Sequence, residues 1–512
     1  MGRVGIVQVI FRLCLAVSAL SFVVGAREVV GQEAKEQNAK ERDAKEQAPT
    51  QQVEKGQEAK DPMAAEAARR EERELLKLFI DTLDQVERNY VKDVSRRELY
   101  EAAIRGMMSK LDQHSNYISP DDVESFKGSV ESEFGGIGIQ VSIEGGRLVV
   151  ISPLVGTPAY RAGIQAGDWI SSIDDKTTRE ITLDEAVKRM KGKIGTTVKL
   201  TVVHARDGKS ETLTLAREVV RVETVLGDRR NADDSWDYML DPERLIGYIR
   251  ITSFGRHTTN EMRKAMKSLA DRKLRGLVLD LRFNPGGLLS SAVEISDLFV
   301  AEGRIVSTAG RNIDEQVVYA KEEGTYTGFP IVVLVNRFSA SASEIVSACL
   351  QDHSRAIVIG ERTWGKGSVQ NIIELEGGRS ALKLTTAGYQ RPNGRNINRF
   401  EGATEEDEWG VKPNSGFEVK LTDDEMRQML DDRRDRDIVK KREGEISVAD
   451  AIRSDRQLAK ALETISSKLM DAKKDRPEDA TKATSATDGK SDKSKETTSQ
   501  KPTADADAAG KP

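Results

Sequence analysis

The residues best suited to chemistry lie between Ile331 and Gln370, in the run IVVLVNRFSASASEIVSACLQDHSRAIVIGERTWGKGSVQ. IVVLV is a short, continuous apolar run rich in β-branched residues, the pattern of a strand buried on both faces. Small polar residues from Ser339 to Ser343 follow it and lead into a helical pattern, which places Ser341 at a strand-to-helix turn. At such a turn a side chain projects beyond the carboxyl end of a sheet, and the first N–H groups of the helix are left to meet a developing negative charge. That position suits a nucleophile. A second apolar run, AIVIG, ends in ERTWGKGSVQ, where Gly365 and Gly367 flank Lys366 and allow a sharp turn that aims one amine. Lys366 is the candidate base. Plainer roles exist for both: serine often only caps a helix, and lysine is an ordinary surface residue. GERTWGK (Gly360 to Lys366) also matches most of a phosphate-binding loop. However, Gly367 stands where that motif requires Ser or Thr, and SVQNIIEL beyond it reads as a strand, so nucleotide binding is set aside.

The elements around these residues alternate. Beyond Val220 come LIGYIRI, a helical pattern from about Thr259 to Lys273, GLVLDLR, the turn FNPGG, and a helical pattern from Leu288 to Val300. This order predicts a layered α/β fold. In the turn, Pro285 fixes one dihedral while Gly286 and Gly287 let backbone amides approach a substrate, so an oxyanion hole can be built there. Glu344, one helical turn after Ser341, reads as a first-turn acid favoured by the helix dipole.

A separate unit runs from Glu131 to about Val220. Glycines alternate with Ile137 and Ile139 in FGGIGIQV, so N–H groups near Gly136 and Gly138 can converge on an anion while the isoleucines line a pocket. In ITLDEAVKRMKG, Leu183, Ala186, Val187 and Met190 share one helix face, enough to close a groove beside a strand that admits a peptide by strand addition. With RAGIQAGDWI (Arg161 to Ile170), the unit resembles a PDZ domain.

The ends have a different composition. Arg3 and Arg12, the apolar run Leu13 to Val24, and Val24, Gly25, Ala26 predict a signal peptide cleaved after Ala26, hence export. Left uncleaved, Val4 to Ala26 is long enough to anchor the protein in a bilayer of roughly 30 Å. Gly31 to about Ala68 is rich in Ala, Lys, Glu and Gln and predicts a disordered or loosely helical charged linker, with order beginning near Leu75. From Leu421 to about Met470 the chain is charged and amphipathic, and Asp471 to Pro512 is expected to be disordered. A net charge of −5, from 79 basic and 84 acidic residues, gives no electrostatic case for nucleic acid. Cys14 lies in the signal segment, so the mature chain would keep only Cys349 and form no internal disulfide. Four histidines without an HExxH pair, and no cysteine cluster, lead us to expect no metal or cofactor.

Together these pieces closely resemble the carboxyl-terminal processing peptidases, or tail-specific proteases, over roughly Leu75 to Lys420. The motifs are SASASE, DLRFNPGG, LDQHSNYISP, LTTAGYQRPNGR and GVKPN. The resemblance implies a crotonase/ClpP-like α/β peptidase core with an inserted PDZ domain and helical extensions at both ends. The corresponding domains are 1–26 signal, 27–68 linker, 69–130 helical region, 131–220 PDZ domain, 221–420 core, 421–470 helical region and 471–512 tail. It implies a serine endopeptidase with Ser341 as nucleophile, Lys366, 25 positions on, as base, and Gln370 completing a triad. It also implies Gly287 and Ala342 as oxyanion hole, with Gly286 as the fallback. Burial of Lys366 beside apolar groups such as Trp364 would free its amine at working pH. Substrates would be proteins or peptides with free, apolar carboxyl termini held by Gly136, Ile137, Gly138, Ile139, Val187 and Met190. Phe338 replaces a glycine common before SASASE, and Asn414 replaces an aspartate after Pro413. Two other readings stay open: a PDZ scaffold that binds without cutting, and a Ser/His hydrolase using His353. Self-association is also left open.

Overall fold

Alternation along the buried strands builds the layers of the main sheet. In this computed structural model the described residues are 62–131, 133–438 and 452–474. The expected signal segment 1–26, most of the charged linker and residues 475–512 lie outside them. The chain divides into a large unit, Met1–Leu469, and a short one, Met470–Pro512.

Strands Ile246–Ile251, Gly276–Asp280, Ile331–Val335 and Ala356–Gly360 pair in parallel in that order, with Val225–Leu226 and Met239–Asp241 antiparallel on the Ile246–Ile251 strand. Every residue of Gly276–Asp280 and Ile331–Val335 is buried. Because successive side chains point to opposite faces, Leu277, Leu279, Val333 and Val335 enter one core with helices Thr258–Asp271, Leu289–Asp297 and Ala342–Asp352. Val278, Val332 and Leu334 enter another with Leu458, Ala461, Leu462 and Ile465 of helix Arg456–Lys474. The continuous apolar run is thus explained by helices on both faces, an α/β arrangement. A second sheet holds Asn116–Ile118, Ser368–Leu375, Ser380–Gln390, Arg304–Gly310 and Ile313–Tyr319.

A smaller unit within residues 133–221 has its own core, centred on Leu148, Ile170, Ile173, Ala186, Val198 and Leu200. Its sheet runs Ile139–Glu144, Arg147–Pro153, Trp169–Ile173, Thr197–Val203, Ser210–Ala216. Strands Glu133–Gly136 and Glu218–Arg221 pair antiparallel where the chain enters and leaves it, which fits a domain inserted as one piece.

Four helices differ in their bounds from expectation. Helix Pro62–Asn89 begins within the stretch read as linker, because AAEAARREERE is rich in strong helix formers and Pro62 suits a first helical position. Helix Thr258–Asp271 and helix Leu289–Asp297 are shorter than their patterns suggest. Helix Arg456–Lys474 runs four residues into the stretch expected to be disordered.

The carboxyl-terminal segment is fastened by charge as well as by packing. Arg282 bonds Asp280 at 2.6 Å, Asp455 at 2.8 and 2.9 Å, and Gln457 at 3.0 Å, with all three charged groups buried. Burial alone would push the Asp280 carboxyl up, but the Arg282 charge and its hydrogen bonds outweigh this and hold it at about 2. Asp455→Ala would remove two buried charge-assisted hydrogen bonds while Asp280 still offsets the Arg282 charge, and we expect it to lower the unfolding free energy by about 1.5–3 kcal/mol in urea titration. The contribution of Asp280 should be complete above its unfolded value of about 4 and be lost as pH falls towards 2.

Candidate active site

The serine turn is shaped by side chains that tie it to the neighbouring strand ends. The Asn336 side chain accepts N–H bonds from Phe283 (3.0 Å) and Phe338 (3.2 Å), and the Ser339 hydroxyl donates to Leu281 O at 2.8 Å. The Asn284 carbonyl accepts from Ala340 N at 3.0 Å and from the Ser343 hydroxyl at 2.9 Å. Held this way, Ser341 has φ 56° and ψ −113°, a strained backbone for a residue with a Cβ, and it is buried at the start of helix Ala342–Asp352. Strain of this kind, of order 1–3 kcal/mol, persists only where surrounding bonds over-determine it.

The FNPGG turn lies directly against this serine. A Cβ on Gly286 would stand 2.7 Å from Ser341 Cβ and 2.8 Å from Ala340 O, so only glycine fits there. The Gly286 N–H is taken by the Asn284 side chain at 2.8 Å. Those of Gly287 and Ala342 donate to no acceptor among the described residues.

Glu344 joins the two halves of the site. Its carboxylate accepts from the backbone N–H of Ser341 (2.7 Å), Gly365 (2.7 Å) and Lys366 (2.8 Å), and from the Thr363 hydroxyl (2.5 Å). It occupies the first helical turn as read from sequence, but complete burial and these four bonds make it a tie between the serine and lysine turns, which the dipole reading missed. Burial pushes its carboxyl up, and the four hydrogen bonds pull against that.

Lys366 is 4% exposed, and burial pushes its amine down to about 8, with Glu344 and Asp112 opposing the shift. This depression favours the free amine by about 3 kcal/mol. Gly365, at φ +87°, lets the turn pass where a Cβ would meet Arg399 Cβ at 2.7 Å. Trp364 was expected beside the amine, yet it is 41% exposed and does not account for the burial. Gln370 is fully buried: its Nε2 donates to Ser368 Oγ (2.8 Å) and Thr385 Oγ1 (3.2 Å), while its buried Oε1 has no hydrogen-bond partner among the described residues.

Two residues that sequence reasoning did not place join the site. The Tyr389 hydroxyl is hydrogen-bonded to the Ser341 side chain, and burial raises its pKa. His114 is held down to about 4 by burial and then by the charge of Lys366, so it is neutral at ordinary pH. The Ser/His reading through His353 is corrected: His353 follows the far end of helix Ala342–Asp352, where its Nε2 meets Arg304 O at 2.7 Å. His257 bonds Glu133, and His204 bonds Asp168 and Glu211. Phe338 stacks on Phe283 with centroids 5.5 Å apart. The Asn414 side-chain Oδ1 accepts from Val358 N at 2.8 Å. Among the described residues no group of His, Cys, Asp and Glu could hold a metal ion.

In the small unit, Ile139–Glu144 is an edge strand beside helix Leu183–Met190. Ile139 and Val187 are half-buried, whereas Ile137 and Met190 are in the core, so the last two underlie the groove rather than line it as expected. The N–H groups of Ile137 and Gly138 donate to no acceptor among the described residues, and the Gly138 carbonyl is held by Leu154 N and the Thr157 hydroxyl, both at 3.0 Å. Gly136 closes the Glu133–Gly136 strand and is buried.

The model of Peptidase family S41 matches residues 245–414, that of the PDZ domain residues 127–203, and that of the activating protease CtpB N-terminal domain residues 22–121. A carboxy-terminal-processing protease of Bartonella bacilliformis is 38% identical over 365 residues, 68% of this chain and 79% of the relative. The chain belongs to the carboxy-terminal processing proteases. Relatives include the carboxy-terminal processing protease CtpA of Bacillus subtilis, 36% identical over 62% of this chain and 65% of its own length. Another is the carboxyl-terminal-processing protease of a Picosynechococcus species, 38% identical over 60% of this chain and 72% of its own length. The protease is therefore a serine-type endopeptidase with a PDZ domain, and that domain suggests peptide binding.

Glu344 offers a direct check on the geometry. Glu344→Gln would set an NH₂ group against N–H donors, and Glu344→Ala would remove the tie. Each should reduce kcat/KM on a short peptide by about 100-fold or more, since small displacements of reacting groups carry such losses, with circular dichroism showing a retained fold.

Proposed function

We propose that the protein is an exported endopeptidase that captures the carboxyl-terminal tail of a protein substrate on its PDZ domain and cuts it by a Ser341/Lys366 mechanism assisted by Gln370. The observation that carries this reading is a buried lysine with its amine lowered to about 8, tied through Glu344 to the strained serine turn. The free Lys366 amine takes the Ser341 proton as the serine oxygen attacks the scissile carbonyl. The N–H groups of Gly287 and Ala342 hold the oxyanion, and Lys366 returns its proton to the departing amine. Water then repeats the sequence on the acyl enzyme. The unpartnered Oε1 of Gln370 is suited to accept an N–H from the lysine and fix its direction.

Tail capture is supported by the edge strand, by the undonated N–H groups of Ile137 and Gly138, and by the half-buried Ile139 and Val187. Gly136 at the strand end sets up that loop, and Ile137 and Met190 would support the terminal side chain from beneath. Export rests on the Arg3, Arg12 and Leu13 to Ala26 pattern. No helix among the described residues is long and apolar enough to cross a membrane.

The test is cleavage rate against pH on one short peptide. Ser341→Ala should abolish turnover with an intact fold, and Lys366→Arg should be inactive at every pH because arginine keeps its proton. Wild-type kcat/KM should rise as pH passes about 8, where Lys366 loses its proton. Substantial turnover by Lys366→Arg would sink the dyad. On long chains, amidating the substrate terminus should weaken cleavage severalfold, and equal rates would exclude carboxylate capture.

A further inference from the structure

The direction in which Gln370 points is decided outside the serine and lysine turns. The oxygen and nitrogen ends of its amide have nearly the same size and shape, so packing does not choose between them and hydrogen bonding must. Strand Ser368–Leu375 pairs with Ser380–Gln390, and a register shift after Val369 sets Gln370 opposite Thr385. Opposite residues of an antiparallel pair share a face, and Gln370 Nε2 donates to Thr385 Oγ1 at 3.2 Å. The Thr385 hydroxyl has one proton and gives it to Asp112 Oδ1 at 3.3 Å. Towards Gln370 it can therefore only accept.

Asp112 belongs to the loop before strand Asn116–Ile118, which pairs with Ser380–Gln390 on its other side. Its carboxylate also accepts from His114 N (2.7 Å), Ser115 N (2.9 Å) and the Ser115 hydroxyl (2.8 Å). Burial pushes the Asp112 carboxyl up, but the bonds from Ser115, His114 and Thr385 outweigh it and hold the group below its usual value. An ionised carboxylate has no proton to offer, so the Thr385 proton has to run towards it. The titratable groups that feel its charge are Lys366 and Lys383, whose cations it favours, and the neutral His114. Fastening the loop does not need the Thr385 hydroxyl, because the strand pairing and a bond from Thr385 N to Ser115 Oγ at 3.1 Å already hold it. The chain from Asp112 through Thr385 to Gln370 ends on a buried Oε1 with no hydrogen-bond partner among the described residues.

We propose that Asp112 is a positioning residue for Gln370: by taking the one proton of the Thr385 hydroxyl, it makes the amide present Nε2 to Thr385 and Oε1 to Lys366. The inference rests on the reading of Gln370 given above, and it adds no chemistry, since the Ser341 proton still goes to Lys366 Nζ and then to the leaving amine. Replacing the carboxylate by a carboxamide undoes the choice. In Asp112→Asn the new NH₂ donates to Thr385 Oγ1, the Thr385 proton turns to Gln370 Oε1, and the amide reverses, setting its own NH₂ against the lysine.

The experiment is kcat and KM against pH on one short peptide. Asp112 favours the Lys366 cation, so its loss moves the rising limb to lower pH, and kcat is compared on the plateau above the limb. Asp112→Asn and Thr385→Val should each lower kcat about tenfold with KM little changed, and Thr385→Ser, which keeps the hydroxyl, should restore it. Gln370→Glu alone should be impaired, because its carboxylate faces a hydroxyl whose proton is already taken. Joined to Asp112→Asn, it meets a hydroxyl free to donate, and the total charge is unchanged. The double variant should therefore exceed Gln370→Glu severalfold above about pH 9, where the lysine beside a new carboxylate is again free. A merely structural Asp112 would make the double variant worse. A double variant no better than Gln370→Glu, wild-type kcat in Asp112→Asn, or equal kcat in Thr385→Val and Thr385→Ser overturns the proposal, and the last comparison decides it if Asp112→Asn does not fold. Gln370→Ala separates the two readings. Wild-type kcat there would refute the assisting role of Gln370 and this inference with it, whereas an impaired Gln370→Ala beside an unimpaired Asp112→Asn would refute this inference alone.

Discussion

The site depends on one buried carboxylate. Glu344 gathers the N–H groups of Ser341, Gly365 and Lys366 and the Thr363 hydroxyl onto two oxygens, so the turn after one parallel strand and the turn after its neighbour share a fixed point. Each bond to an ionised acceptor in a dry setting is stronger than its exposed counterpart. Removing the acceptor would leave several donors unsatisfied at once. The strained Ser341 backbone and the glycine-lined approach of the FNPGG turn are tolerable because this point does not move.

Around it, the fold supplies dryness. Strands buried on both faces put the serine at the carboxyl end of the sheet, which helices Leu289–Asp297 and Ala342–Asp352 cover from one side. The Ser380–Gln390 sheet and the loop carrying Asp112 and His114 bring further groups around Lys366. Low solvation is what lowers the lysine, and the same low solvation magnifies the effect of each nearby charge. The chemistry and the packing therefore cannot be altered independently.

Much of this was legible in the chain. IVVLV announced a doubly covered strand, SASASE its turn and helix, and the glycines around Lys366 a sharp bend, because each signal is local and repeats a simple period. The interplay of distant residues was not. Glu344 looked like a dipole-favoured acid since its partners Thr363 and Gly365 lie about twenty positions on and carry no pattern that points back. Asp455 was hidden in a charged segment, where nothing distinguishes the one carboxylate that meets Arg282. Apolar face patterns predicted Ile137 and Met190 as apolar but could not separate groove lining from core. The start of helix Pro62–Asn89 fell inside the stretch read as linker, because its first turns favour helix by composition without a buried stripe.

The central claim is that Lys366 is a free amine when it meets Ser341. It is tested most directly by titrating the side-chain carbon signals of lysine by nuclear magnetic resonance in the folded Ser341→Ala protein labelled at the lysine ε-carbon, with the resonance assigned by its absence in a Ser341→Ala, Lys366→Arg double variant. A midpoint near 8, well below the usual lysine value of about 10.4, is the result expected, and a Lys366 signal that stays protonated to pH 10 would contradict the account.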